Sequence, residues 1–454
     1  MPTTTVRLTA VSETTPITRR ASYGPSSPEV GSRGANTRTK IVDVSLDLFG
    51  RVGFFNTSVD AIAKEADISR ATLYQYFPGK DEIFLELLDV CGRALFRVAR
   101  RIGPLGPTKV GFDNLNWWLG EWSWVFDRYS TMFVQWTSVA MADTSVRPQI
   151  DSFMSGYTRM VTARLEQSEL HGIEPRVAAM AMIAIVHRMN LFLATDRTYG
   201  RDTQAVVDSL SVYLQLLLFP DTPSSVLNSI PLETPPENPV INVPPLPSIA
   251  GLSMDDRTAN LSKRAVNTVR TLVDAGAKQF QLKGYHRTSV DDIVEEAGLA
   301  RGTFYKYFSE KQDLLVTISI EGIRHALELA ERLRKIDLTD PDTTELRAWI
   351  SSLTGFMTRF SGSIGAWTEK TTDNDIVTQL GTCGQAAMDS AMVADLVTRK
   401  RDYHFDPVIA AIIFRSLVTR VPQAARELSP PLSEDEIADL VIDCVGRGFF
   451  SHLT

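Results

Sequence analysis

The sequence predicts an all-α protein built as two tandem units, and three observations carry that prediction. The segment Thr57 to Lys80, TSVDAIAKEADISRATLYQYFPGK, recurs as TSVDDIVEEAGLARGTFYKYFSEK from Thr288 to Lys311, at an offset of 231 residues without a gap. Elsewhere the apolar residues recur with helical period, and no alternating strand pattern competes with it. Nine prolines between Phe219 and Asp255 (Pro220, Pro223, Pro231, Pro235, Pro236, Pro239, Pro244, Pro245, Pro247) separate the copies, and read as an extended, non-helical linker.

Each repeat resolves into a short helix (Val59 to Ala66; Val290 to Ala297), a three-residue turn (Asp67-Ile68-Ser69; Gly298-Leu299-Ala300) and a second helix ending in Tyr-x-Tyr-Phe. Thr57 and Ser58 precede the first helix and can accept from its unpaired amides. Val59, Ile62 and Ala66, like Val290, Ile293 and Ala297, give an apolar face. Ile41, Val44, Leu48 and Phe49 upstream, and Val266, Val269, Leu272, Val273 and Phe280, supply a third helix for the core, ended by Gly53 and Gly284. Asp67 stands at a turn position that needs a left-handed backbone, which Asp tolerates.

Two helices joined by a tight turn form a helix-turn-helix, whose second helix can enter a DNA major groove. Its composition suits that role: Arg70, Thr72, Tyr74, Gln75 and Lys80 in one copy, Arg301, Thr303, Tyr305, Lys306 and Lys311 in the other. The chain carries a net charge of -7, yet neither recognition segment is acidic overall, and phosphate binding follows the local field.

The two segments resemble the DNA-binding domain of TetR-type transcriptional regulators, over roughly Asn36 to Phe96 and Ala259 to Arg324. The resemblance implies two tandem TetR-like units, each a three-helix head and a helical ligand-binding and dimerisation body. It implies that Thr57, Tyr74, Tyr76 and Lys80 contact phosphates while Arg70, Ala71, Thr72 and Gln75 face bases. In the second copy Thr288, Tyr305, Tyr307 and Lys311 would position the head, and Arg301, Gly302, Thr303 and Lys306 would read. Ser69 and Ala300, which open the second helices, belong to the same expected interface. Asp67 and Ala71 depart from the family pattern, which has Gly at both places. The duplication resembles tandem family members of actinobacteria, among them a repressor of a mammalian-cell-entry operon for lipid uptake.

The expected domains are a disordered tail at 1–35, a first head at 36–80, a first body at 81–219, the linker at 220–255, a second head at 256–311 and a second body at 312–454. Arg33, Arg38 and Lys40 could form a minor-groove arm or a solubilising tail. Helices are predicted near Gly79 to Ile102, Gly111 to Tyr129, Thr131 to Ala142, Pro148 to Glu169, Pro175 to Ala194 and Thr203 to Leu218. In the second half they fall near Glu310 to Lys335, Thr343 to Phe360, Ile364 to Thr371, Asp375 to Arg401, Asp406 to Val421 and Glu434 to His452. The last two helices of each body are apolar enough to pair, so one chain is expected to form an intramolecular pseudo-dimer, with a homodimer as the alternative.

In the first body Trp117, Trp118, Trp122, Trp124 and Trp136 crowd together with Phe126, Met132, Phe133 and Met141. Such residues can line an adaptable apolar cavity, with ordinary core packing as the competing account. The expected ligand pocket is Trp117, Trp118, Trp122, Phe133 and Trp136, with Phe356, Phe360 and Trp367 in the second body, and its occupant a small lipophilic effector such as a fatty acyl or steroid derivative. The expected partners are therefore double-stranded DNA and that effector.

No cofactor or metal is expected. Cys91, Cys383 and Cys444 lack metal-ligand spacing, and the six histidines are scattered, with no nucleophile elbow and no phosphate loop. An enzyme is not expected. The longest apolar run, Val177 to Val186, is about half of the ~20 residues that span a bilayer, which predicts a cytoplasmic protein without a membrane partner. A ligand-sensing or interaction protein with one or both heads idle is the alternative function.

Overall fold

The computed structural model of the chain describes residues 28–142, 146–230, 239–368, 374–397, 399 and 402–451, and among these residues every regular element is helical. The chain divides into two compact units, Met1–Cys91 and Gly92–Thr454.

The first unit holds α1 (Pro28–Val52), α2 (Val59–Glu65), α3 (Arg70–Tyr76) and the start of α4 (Lys80–Arg100). Ile41, Leu48 and Phe49 of α1 close over Ile62, Ala66, Leu73 and Phe77, and Phe54 meets Phe49 and Phe84 edge-on, with ring centroids 5.2 Å apart in both pairs. Ser58 caps α2 by accepting from Ala61 N at 3.1 Å, and Ser69 caps α3 by accepting from Thr72 N at 3.0 Å. Caps of this kind contribute about 1 kcal/mol each. Asp67 adopts φ 53°, the left-handed turn expected of it, as Gly298 does at φ 64° in the second copy. α1 begins at Pro28, upstream of the expected boundary at Asn36; the rest of the predicted tail, 1–27, lies outside the described residues.

The second unit opens with the end of α4, followed by α5 (Lys109–Arg128), α6 (Ser130–Ala142), α7 (Arg147–Leu165), α8 (Pro175–Ala194), α9 (Thr203–Leu218) and the single turn α10 (Ser224–Leu227). That turn lies inside the stretch expected to be non-helical. Pro223 precedes it with φ -61°, a geometry already suited to a helix start. From Pro239 to Ile249 the chain has no regular structure, as expected of the linker, and it buries Pro239 and Ile241. Then come α11 (Met254–Thr258), α12 (Lys263–Lys283), α13 (Val290–Ala297), α14 (Arg301–Tyr307), α15 (Lys311–Leu333), α16 (Thr344–Thr368), α17 (Asp375–Val397), α18 (Pro407–Arg426), α19 (Glu434–Val445) and a π-helical turn, Gly446–Phe450.

Two expected breaks are absent. α16 is one helix, not two, because Gly362 lets it lie against α12: a Cβ there would sit 2.5 Å from the carbonyl carbon of Phe280. Ser-Gly-Ser thus marks a close helix crossing. α18 runs through Pro422 to Arg426, since burial of Val421, Pro422 and Ala425 holds the helix together despite the missing amide donor.

α8 packs on α18, and α9 packs on α18 and the π-helical turn. Tyr213 donates to Cys444 O at 3.3 Å and packs its ring, tilted, against Phe449 at 4.7 Å between centroids. Polar ties run across the same seam: Arg201 Nε to Asp406 Oδ2 at 2.9 Å, Tyr199 OH to Asp389 Oδ2 at 2.8 Å, and Arg447 Nη1 to His171 O at 2.6 Å. α8 and α18 are long and apolar enough to cross a membrane by length and composition, but 78% of the apolar window of each is buried inside the protein.

His187 of α8 is partly buried against Trp122, Phe126 and Phe133. Burial, and then the charges of Arg420 and Arg188, push its pKa down to about 3. An unfolded histidine titrates near ~6.5, so between these values the unfolded chain binds the extra proton. Stability is therefore expected to fall as pH drops below about 6.5, by up to about 1.4 kcal/mol per pH unit. Urea midpoints at pH 7.5 and pH 5 check this; an unchanged pH slope in His187→Gln would assign the effect elsewhere.

Candidate nucleic-acid interface

The repeat builds the same surface twice. In the first head Leu73 and Phe77 anchor α3 inside, which leaves Ser69, Arg70, Ala71, Tyr74 and Gln75 exposed and Thr72 and Tyr76 half-buried. In the second head Phe304 and Phe308 anchor α14, exposing Ala300, Arg301, Gly302, Tyr305 and Lys306, with Thr303 and Tyr307 half-buried. An added Cβ at Gly302 would meet nothing within 4 Å, so Ala71 at the matching place in the first head is sterically free.

Both exposed arginines are oriented in the same way. Arg70 Nη1 pairs with Asp60 Oδ2 at 3.1 Å while Nη2 donates to Tyr74 OH at 3.4 Å. Arg301 pairs with Asp291 at 2.6 Å and donates to Tyr305 OH at 3.4 Å. The tyrosine hydroxyl first, then the aspartate charge, raise both guanidinium pKa values. These exposed pairs contribute little stability, but they aim the cation outward beside a tyrosine ring that is itself 43% exposed at Tyr74 and 49% exposed at Tyr305. Asp60 and Asp291 are orienting residues that sequence reasoning missed, although both occupy the fourth position of the repeat.

Four residues expected to touch phosphate turn their polar atoms inward. Thr57 is buried and donates to Gly53 O at 2.7 Å; Thr288 donates to Gly284 O at 2.8 Å. Lys80 Nζ donates to Phe54 O, Phe55 O and Thr57 O at 2.8, 3.3 and 3.1 Å, and Lys311 Nζ to Tyr285 O, His286 O and Thr288 O at 2.7, 3.3 and 2.8 Å. Three carbonyls use the three donors of each ammonium, so these lysines latch the loop before the helix-turn-helix onto the following helix. Burial lowers both lysine pKa values.

Each head has a second latch. Arg38 donates to Tyr76 O at 3.0 Å, pairs with Glu86 at 2.9 Å and lies 4.2 Å over the Phe77 ring. It is therefore held against α3 and is not the mobile arm that the sequence allowed. In the second head Arg257, on α11, donates to Tyr307 O at 3.2 Å, pairs with Asp313 and lies 5.0 Å over Phe308.

One of the described cavities is lined largely by apolar residues and lies away from the first-body tryptophans. It measures about 140 Å³, lies in the second body, and is lined among others by Phe356, Phe360 and Trp367, which belong to the expected ligand pocket. Trp118, Trp122 and Phe133 are buried core instead, because the rings fill one another: Phe126 stacks on Phe133 at 4.4 Å and on Trp122 at 5.5 Å. Trp117 is 37% exposed beneath Arg101, and the side chain of Trp136 lies outside the described residues. The cavity also takes Arg188 and Phe192 from α8.

The domain described as "Bacterial regulatory proteins, tetR family" matches the chain twice, at residues 41–87 and 272–318. The fatty acid metabolism regulator protein of Bacillus subtilis (strain 168) is 35% identical over 60 residues, which is 13% of this chain and 31% of that protein. The biofilm operon icaADBC HTH-type negative transcriptional regulator IcaR of Staphylococcus epidermidis (strain ATCC 35984) is 24% identical over 161 residues, 35% of this chain and 80% of that one. The chain thus spans about a third of the length of the first relative. A crystal structure of the transcriptional regulator FadR from Bacillus subtilis in complex with stearoyl-CoA aligns with a TM-score of 0.33 and 17% identity, over 39% of this chain and 96% of that one. These relatives are regulators, and the mammalian-cell-entry link remains an expectation from the sequence.

Proposed function

The chain belongs to the tetR family of bacterial regulatory proteins through both of its heads, and from that premise we propose that it is a sequence-specific DNA-binding transcriptional regulator working in the cytoplasm. The observation that carries the reading is the pair of exposed Arg-Tyr faces on α3 and α14, each aimed by an aspartate of the preceding helix. Arginine and tyrosine can contact phosphates, and arginine reads guanine edges.

The faces differ at Ala71 and Gly302 and at Gln75 and Lys306, so their half-sites differ, and the operator is asymmetric. Gln suits adenine and Lys suits guanine. The protein acts as a repressor that a small lipophilic effector releases, the effector shifting the helix that follows a head and spoiling a spacing of about one DNA turn, ~34 Å. Packing of α8 on α18 and of α9 on the π-helical turn supports an intramolecular pseudo-dimer, with a homodimer as the alternative assembly.

Mobility shift on the upstream DNA at fixed salt, comparing wild type with Tyr74→Ala and Tyr305→Ala, tests the reading. Each change is expected to weaken binding at least fivefold, and a symmetrised palindrome to bind less well than the native site. A head whose variant binds like wild type is idle, which would favour a ligand-sensing protein.

A further inference from the structure

Resting on the reading of the chain as an effector-controlled regulator, we propose that the cavity of the second body binds a medium-sized amphiphile with a carboxylate head, the acid group on Arg415 and the hydrocarbon among Phe356, Phe360 and Trp367. The wall is apolar except for two arginines, a few hydroxyls and Gln385, whose Oε1, without a partner among the described residues, can accept from a protonated group while the arginines can take an anion. Arg188 and Arg415 line the cavity, and among the described residues no Asp or Glu does.

Arg415 is only 7% exposed. Its Nε donates to Asp389 Oδ1 at 2.7 Å, its guanidinium lies 3.9 Å over Phe192, and its Nη2 finds no hydrogen-bond partner among the described residues. The other oxygen of Asp389 accepts from Tyr199 at 2.8 Å rather than from the second arm of Arg415. One prong of a buried guanidinium is thus without a protein acceptor among the described residues and can make a charge-assisted hydrogen bond to an oxyanion. Ser319 and Ser363, also on the wall and more than nine-tenths buried, each hold an Oγ without a partner among the described residues. Nearby, Arg197 lies 4.1 Å over the Trp367 ring, with its pKa brought down to about 10 by burial and then by the charge of Arg415.

Size narrows the occupant further. A cavity of about 140 Å³ is close to the ~150 Å³ engineered cavity that admits one benzene ring. An acid with a single ring or a short chain fits as the cavity stands. A longer chain requires Met357 and Met388, both on the wall, to swing aside. The occupant would touch Ser319, Gly322 and Ile323 of α15, the helix whose first residue, Lys311, latches the second head, so the bound acid would act on that head first.

Titration of the full chain with octanoate and with 1-octanol, followed by tryptophan fluorescence and calorimetry at pH 7.5, tests the proposal. Octanoate is expected to bind at least tenfold more tightly than 1-octanol. The double variant Asp389→Leu/Arg415→Met removes both buried charges together and is expected to bind the two equally, while Ser363→Leu fills the cavity and abolishes both. Equal affinities in the wild type, or an acid preference that survives the double variant, would overturn the proposal. Mobility shift without ligand reads the regulator assignment separately: a shift that persists while the acid preference is absent sinks the ligand class alone, and a missing shift sinks the regulator reading whatever the titration gives.

Discussion

Replacing Asp389 by alanine is expected to lower the unfolding free energy by about 3–5 kcal/mol, the cost of leaving one partner of a buried ion pair alone. Asp389 is 1% exposed, and both oxygens are committed, one to Arg415 and one to Tyr199. Removing the carboxylate strands a guanidinium that is already short of one partner and a phenol that loses its acceptor. Tyr199 belongs to the loop after α8, and Asp389 and Arg415 belong to α17 and α18, so the damage would fall on the seam that joins first-half and second-half helices. Urea denaturation with a calibrated m-value measures the loss. Asp389→Leu/Arg415→Met should recover most of it, because well-packed apolar residues replace buried ion pairs at little cost or with a gain. A loss below about 1 kcal/mol in the single variant would mean that water reaches the pair.

The second large effect concerns Lys80 and Lys311. Methionine at either place keeps much of the aliphatic stem and removes the ammonium, leaving three carbonyls without their charged donor. Hydrogen bonds to charged groups contribute about 1.5–3 kcal/mol, and a loss of that order per head is expected. DNA affinity should fall as well, but in a diagnostic way. A lysine that neutralises a phosphate contributes about 0.9 to the slope of log K against log salt, whereas a latch contributes nothing to it. The expected result is weaker binding with an unchanged slope. A slope reduced by about one for each lysine would restore the phosphate role that the family resemblance implies.

How much of this was legible in the sequence depended on whether the signal was local. α8 and α9 start and stop where the sequence placed them, because Pro175 occupies a first-turn position and Asp202 offers a cap for Ala205. The two heads were legible from the order of the repeat alone. At Ser361-Gly362-Ser363 and at Pro422 local chemistry predicted breaks, and packing against distant residues overrode it. Aromatic content likewise does not distinguish rings that stack on one another from rings that face a void, and Trp122, Phe126 and Phe133 of the first body do the former. Asp60 and Asp291 were visible as types and positions but not as partners, since only three-dimensional structure brings them to Arg70 and Arg301.

The arginine latches bear on how this chain can be cut and recombined. One repeat beyond Arg38 stands Val269, a core residue, so the second head draws its clamp from α11, outside the helix that supplies it in the first. The two halves share a motif but not its fastening. A head excised by aligning the copies, starting at Lys263, would leave Arg257 behind and arrive with the Tyr307 carbonyl and the Phe308 ring unclamped. Chimeras that exchange the two reading surfaces therefore need unequal boundaries, with the second cassette beginning before Ser253.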